Sequence, residues 1–127
     1  MKLPAISVRQ PWSSAIFHLM KDVENRTWEN AYRGPLVIHA GQQEDREAGE
    51  VRRLLGKCAQ PRGVLLGIVD LVNIVTGSDS QWADPDQFNW ILRNPRLFPE
   101  PIPCSGRLGL FEVQIPDELA AALKVTR

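Results

Sequence analysis

The sequence predicts an α+β fold in which a curved, mostly antiparallel sheet or small closed barrel is flanked by short helices. Three observations carry this. Strand-like runs are not regularly separated by crossover helices, as a parallel α/β sheet would require. Ten prolines and nine glycines among 127 residues suit a turn-rich β fold better than a helical bundle. The longest apolar run, Val64–Val75, contains Gly67, a position for a bulge that bends the strand as a small barrel needs.

In chain order, Ala5–Arg9 alternates and leads into a turn, so it reads as a first strand. Pro11 fits the first turn of a helix, where its missing N–H costs nothing. Trp12, Ile16, Leu19 and Val23 then recur at helical spacing, giving a helix over Trp12–Met20. Glu24–Trp28 is a short extended segment, Gly34-Pro35 a turn or strand edge, and Leu36–Ala40 a buried strand. Gln43–Leu55 reads as a helix with an apolar stripe of Ala48, Val51, Leu54 and Leu55, stopped by Gly56. After the Val64–Val75 strand comes a polar loop holding Trp82. Pro85-Asp86 opens a short helix with Phe88, Trp90, Ile91 and Leu92. Four prolines between Asn94 and Ser105 predict an extended loop over the body. Leu108–Ile115 is a last strand, and Asp117–Leu123 a final helix with a frayed tail.

The length fits a single domain over residues 1–127, long enough to bury a core without staples. Formal net charge is zero, which excludes a whole-surface basic field for nucleic acid and leaves room for a local basic patch. Eleven of the 15 cations are arginines, the residue that forks onto phosphates and carboxylates and stacks on bases. Cys58 and Cys104 form no CxxC pattern, so neither zinc nor a disulfide framework is expected, and two lone thiols suit a reducing compartment. The N-terminus has no signal-peptide core and no run is long enough to span a bilayer. A soluble cytoplasmic protein is expected. With no GxSxG, HExxH, phosphate loop or GxGxxG followed by an acid, no metal and no cofactor is predicted.

The chemistry-bearing residues concentrate between Ile6 and Gly41. Arg9, Gln10 and Trp12 surround one strand-to-helix turn, where a guanidinium and an amide could read base edges and an indole could stack on a base. The alternative is that Trp12 is core and Arg9 pairs with an acid. In an extended segment Glu24 and Arg26 project to one face, and Lys21 at the preceding helix end can join them. A lysine beside a carboxylate in a cleft can move a proton or, if desolvated, act as a nucleophile. The alternative is an internal ion-pair network of Glu24 with Lys21 or Arg26. Trp28 and Trp90 are further stacking candidates. Tyr32 and Arg33, beside Gly34, offer a phosphate or base contact. His39 reads as either a core histidine or a site residue.

At ISVRQPW, KDVENRTW and YRGPLVIHAG the sequence closely resembles the ASCH domain family of the PUA-like superfamily, and FNWILRNPRLFPEPIP followed by GRLGLFEV resembles the late part of the same domains. The resemblance covers about residues 5–115. It implies a small PUA-like β-barrel with helices and a cleft at its side. It places the family's GxKxxExR-like signature on Met20, Lys21, Glu24 and Arg26, with Met20 before the lysine in place of the usual glycine and a differently shaped backbone expected there. Such domains are associated with binding RNA or other nucleic acid, often single strands or modified bases. Some small members hydrolyse acylated cytidines with a lysine, a threonine and a glutamate, and some are reported as ribonucleases. Here Glu24 stands where those amidohydrolases place threonine, and no distal catalytic glutamate is assigned.

Two functions follow as expectations. In one, RNA or a modified nucleotide enters a cleft beside the barrel, held by Arg9, Gln10, Trp12, Lys21, Arg26, Trp28, Tyr32, Arg33, His39 and Trp90. In the other, a small hydrolase acting on acylated nucleosides, or a ribonuclease, uses Lys21 and Glu24. A protein-interaction domain with a vestigial cleft is a third, disfavoured by the polar density of Arg9–His39.

Overall fold

The computed structural model describes residues 1–126, so the last residue of the expected domain and tail lies outside the described residues. Among the described residues there are six strands: β1 (Lys2–Gln10), β2 (Val23–Arg26), β3 (Gly34–Glu44), β4 (Val64–Val75), β5 (Phe88–Pro103) and β6 (Phe111–Gln114). Between and after them lie α1 (Trp12–His18), α2 (Gly49–Leu55) with a 3-10 turn at Gly56–Ala59, and α3 (Asp117–Ala122). The strands form one sheet in the order β2-β5-β4-β3-β1-β6. Only the β1–β3 pair is parallel, because α1 and β2 intervene between them; the other pairs are antiparallel.

Both faces of the sheet are covered. Alternate residues of the central strands point to opposite sides. Leu3, Ala5, Val37, Leu65 and Ile68 meet Phe98, Ile115 and the Ala120 of α3 on one side. Ile6, Val8, Leu36, Ile38, Val69 and Leu71 meet Trp90, Leu92 and the Ile16 of α1 on the other. This two-sided burial explains why Leu36–Ala40 reads as a continuous apolar run rather than an alternating one.

The sheet is strongly curled. β2 and β1 are four strand spacings apart, about 19 Å in a flat sheet. Arg26 Nη2 of β2 nevertheless donates to the Ser7 carbonyl of β1 at 2.5 Å, which only a rolled sheet permits. Gly67 helps the bend: a Cβ there would collide with the Arg96 carbonyl and sit 2.7 Å from Phe17 of α1. The β4–β5 register shifts at this point. Strand pairing does not close the sheet, however. β2 and β6 remain edges, so the expected closed barrel is not made by backbone hydrogen bonds, and the fold is a curled α+β sheet with short helices.

Four further expectations are corrected. The helix expected after Pro85-Asp86 and the proline loop after Asn94 are together one strand, β5. It pairs with β2 only over Phe88–Ile91. The Leu92 N–H donates to the Asp22 carbonyl at 2.9 Å, and beyond it the second edge is open. Pro95, Pro99 and Pro101 also fall where the β4–β5 register shifts, and open edges and bulges are where a strand tolerates proline. The helix expected from Gln43 begins only at Gly49, because β3 continues to Glu44 opposite Gln10 and the Asp45 N–H then donates to the Gln10 carbonyl at 2.7 Å. The last strand shortens to Phe111–Gln114.

Candidate functional site

Where β1, β2 and the end of β3 converge, a cleft of about 770 Å³ opens. Its walls carry Ser7, Arg9, Trp12, Glu24, Arg26 and Gln42, and the 106–109 loop overhangs it. A second compartment of about 480 Å³ adjoins it through Trp12, Glu24, Asn25, Asp45 and Gln87, and adds Lys21, Trp82 and Asp84.

A charged triad forms the floor. The β2 alternation puts Glu24 and Arg26 on one face, and Lys21 folds in from the end of α1. Met20 enables this by adopting φ 55, the left-handed conformation that glycine takes without steric cost. The backbone before Lys21 is therefore left-handed although a methionine stands there. Lys21 is 4% exposed and Glu24 8%. Lys21 Nζ lies 2.8 Å from Glu24 Oε1 and donates to the Val23 carbonyl at 2.5 Å. Arg26 Nε lies 3.1 Å from Glu24 Oε2. That second contact is off hydrogen-bond alignment, leaving the Nε–H without an acceptor, so it is a charge contact. Lys21 Nζ also sits 6.0 Å from the Trp12 ring centroid.

Trp12 forms the aromatic wall. Its Nε1–H donates to Asp45 Oδ2 at 2.9 Å, and its ring meets Trp82 edge-on at 6.4 Å. The indole N–H, then the Glu47 backbone N–H and the charges of Arg9 and Arg52, hold the Asp45 carboxyl below its usual range. Asn25, on the opposite face of β2 from Glu24, fixes the loop that carries Trp82. Its Nδ2 donates to the Trp82 carbonyl, and its Oδ1 accepts from the Asp84 N–H and from Asn89 Nδ2.

Of the residues expected at the site, Arg9, Trp12, Lys21, Glu24 and Arg26 come together here. The others do not line the cleft. Gln10 is fully buried, its Nε2 donating to Ser14 Oγ and the Pro61 carbonyl. Trp90 is 0% exposed and packs edge-on against Trp28 at 4.8 Å, so its indole has no face open to a ligand. Trp28 and Tyr32 pack on the same core cluster, and the Tyr32 hydroxyl donates to the Pro35 carbonyl. Arg33 is exposed and donates to the Asn30 and Tyr32 carbonyls. His39 is buried behind Ser7. Sequence reasoning missed Ser7, Asn25, Asp45 and Arg107 as lining residues. Their only local signal was polarity: Ser7 and Asn25 sit on β1 and β2 among the expected residues, while Asp45 and Arg107 arrive on segments that follow β3 and β5. Among the described residues no group of three or more His, Cys, Asp or Glu is placed to hold a metal ion, and no helix is long and apolar enough to cross a membrane.

Comparison with known proteins shows the family of the chain. The chain is similar to "Activating signal cointegrator 1" of Mus musculus, 34% identical over a 126-residue alignment that covers 85% of this chain and 22% of the relative. The Homo sapiens protein of the same name matches to the same extent. The chain therefore spans about a fifth of the length of these relatives. The model of the ASCH domain matches residues 6–114, and the chain belongs to the ASCH domain family.

Proposed function

We propose that the cleft binds nucleic acid, taking one nucleotide of a single strand, of RNA or carrying a modified base, at a time. The observation that carries this reading is the convergence of the Asp45-clamped Trp12 indole with Arg9, Arg26 and Arg107 in one cleft. An indole suits a base of any sequence, and guanidinium groups suit the adjoining phosphates. The volume lies in the range of sites that enclose a small molecule. Three arginines against Glu24 and Asp45 leave one net positive charge on the lining. That suits a short strand or a nucleotide rather than a duplex track. The association of ASCH and PUA-like domains with nucleic acid supports the same reading, and the curled sheet is compatible with a PUA-like barrel closed by side chains.

The test is fluorescence anisotropy with a labelled short RNA across a salt series. Trp12→Ala should weaken binding by about 1–3 kcal/mol. Arg107→Ala should lower the salt slope by about one unit. Wild-type affinity and slope in both variants would remove the cleft from the binding site.

A second reading, hydrolysis of an acylated nucleoside, draws on the buried Lys21–Glu24 pair at the edge of the Trp12–Trp82 compartment. In it Lys21 supplies the reactive amine and Glu24 moves the proton. Turnover of an acylated nucleoside that vanishes in Lys21→Ala would support it. Turnover that survives would place the chemistry elsewhere.

A further inference from the structure

The charged triad is not the only reactive pairing in the cleft wall. Ser7 of β1 lines the cleft, and its Oγ lies 3.0 Å from His39 Nδ1 on the neighbouring strand β3. The other ring nitrogen, Nε2, lies 2.7 Å from the Cys104 carbonyl. A carbonyl oxygen can only accept, so Nε2 carries the proton. In the neutral ring Nδ1 is then the acceptor, and the Ser7 hydroxyl donates to it. This is the arrangement of an activated serine: a hydroxyl on the basic nitrogen of an imidazole whose tautomer and orientation are fixed by a second partner. Phe111 packs edge-on against the ring at 6.0 Å and His39 is almost fully buried, so the imidazole has little freedom to turn away.

The hydroxyl is also kept uncovered. A Cβ at Gly41 would sit 2.9 Å from Ser7 Oγ, and one at Gly106 would sit 3.2 Å from Ser7 Oγ and 2.8 Å from His39 Cε1. Both glycines line the same cleft. Arg26, bound through Nη2 to the Ser7 backbone carbonyl, fixes a positive charge in the lining of the same cleft.

We propose that Ser7 and His39 are the nucleophile and general base of an acyl-transfer site that hydrolyses an ester entering the cleft. Ser7 Oγ adds to the ester carbonyl carbon as its proton passes to His39 Nδ1, and the Arg26 charge stabilises the oxyanion. The bond from the carbonyl carbon to the leaving alcohol oxygen breaks as His39 returns the proton to that oxygen, leaving an acyl group on Ser7. A water molecule, giving a proton to the same Nδ1, attacks the acyl carbon; the bond from that carbon to Ser7 Oγ breaks as His39 returns the proton to Oγ, releasing a carboxylic acid and the free Ser7 hydroxyl. The step needs only the ester and water. It requires neither Lys21 nor nucleic-acid binding.

The test treats the full chain with a fluorophosphonate probe and reads intact mass and the labelled peptide, with p-nitrophenyl acetate turnover measured alongside. One adduct on Ser7, absent from Ser7→Ala, is expected, with a burst of about one p-nitrophenol per chain. His39→Gln should slow labelling by about 100-fold, the lower end of what a positioned base contributes. Because His39 is buried and its variant can misfold, Gly106→Ala serves as a second probe. One added methyl group should crowd the pair and suppress labelling in a protein whose circular dichroism is unchanged. Absence of a Ser7 adduct under conditions that fully label a known serine esterase would overturn the proposal. So would labelling that persists in Ser7→Ala, or labelling of the folded His39→Gln protein at the wild-type rate.

Discussion

The Lys21–Glu24–Arg26 triad and the Trp12–Asp45 clamp border the same cleft, yet burial gives them different work. In the triad one carboxylate serves two cations, and Lys21 and Glu24 are nearly sealed from water. A charge removed there leaves its partners uncompensated in a low-dielectric setting. In the clamp a half-buried carboxylate holds a half-buried indole, and solvent reaches both. The triad's first effect should therefore be on stability, and the clamp's on recognition. The sharpest way to break this comparison is Glu24→Gln, which leaves Lys21 and Arg26 facing each other without a counter-charge. It should cost about 3–5 kcal/mol in chemical denaturation. A loss below 1 kcal/mol would mean that water reaches the triad and that it is no different from the clamp.

Asp45→Asn tests the other member. At neutral pH it should cost about 1 kcal/mol of stability, a hydrogen bond to a charged group discounted for exposure. The larger consequence should be weaker RNA binding, since an amide has one acceptor oxygen and cannot hold both the Trp12 indole N–H and the Glu47 backbone N–H that the carboxylate accepts, so the indole is held less firmly. The sign with pH is defined. The folded-state pKa of Asp45 lies below the unfolded value of 3.8, so its contribution is fully present above 3.8 and fades as pH falls through the folded value. The stability gap between wild type and Asp45→Asn should thus be constant from pH 5 to 7 and shrink only in stronger acid. A gap that changes near neutrality would assign the linkage to another group.

How much of this was legible in the sequence depended on how local the cause was. The α1 helix, though it ends at His18 rather than Met20 and leaves Val23 to β2, the projection of Glu24 and Arg26 to one face and the meeting of Lys21 with them follow from short-range pattern, and they were readable. The β5 strand was not, because four prolines read as a loop until the sheet order shows that one edge of that strand is open. Nor was the burial of Trp90, which follows from its pairing opposite Glu24 on β2 and Ile74 on β4. Asp45 and Arg107 reach the cleft through turns remote from Trp12, and Ser7 meets His39 only through the parallel β1–β3 register. Nothing within a few residues of any of them encodes such a contact.

Met20 offers the finest adjustment of the comparison, because it acts on the triad through the backbone alone. Its side chain is 81% exposed, so little packing depends on it. Its φ of 55 carries a steric cost for any L-residue with a Cβ, about 1–2 kcal/mol. Glycine removes that cost but loses about 0.5–1 kcal/mol more backbone entropy on folding. The difference predicts that Met20→Gly stabilises the protein by about 0.5 kcal/mol, seen as a small rise in the denaturation midpoint. If the left-handed turn alone aims Lys21 at Glu24, the variant should still lose about 3–5 kcal/mol when Glu24→Gln is added. A Met20→Gly protein that is less stable than wild type, or one in which Glu24→Gln has become cheap, would show that the methionine side chain itself seals the triad.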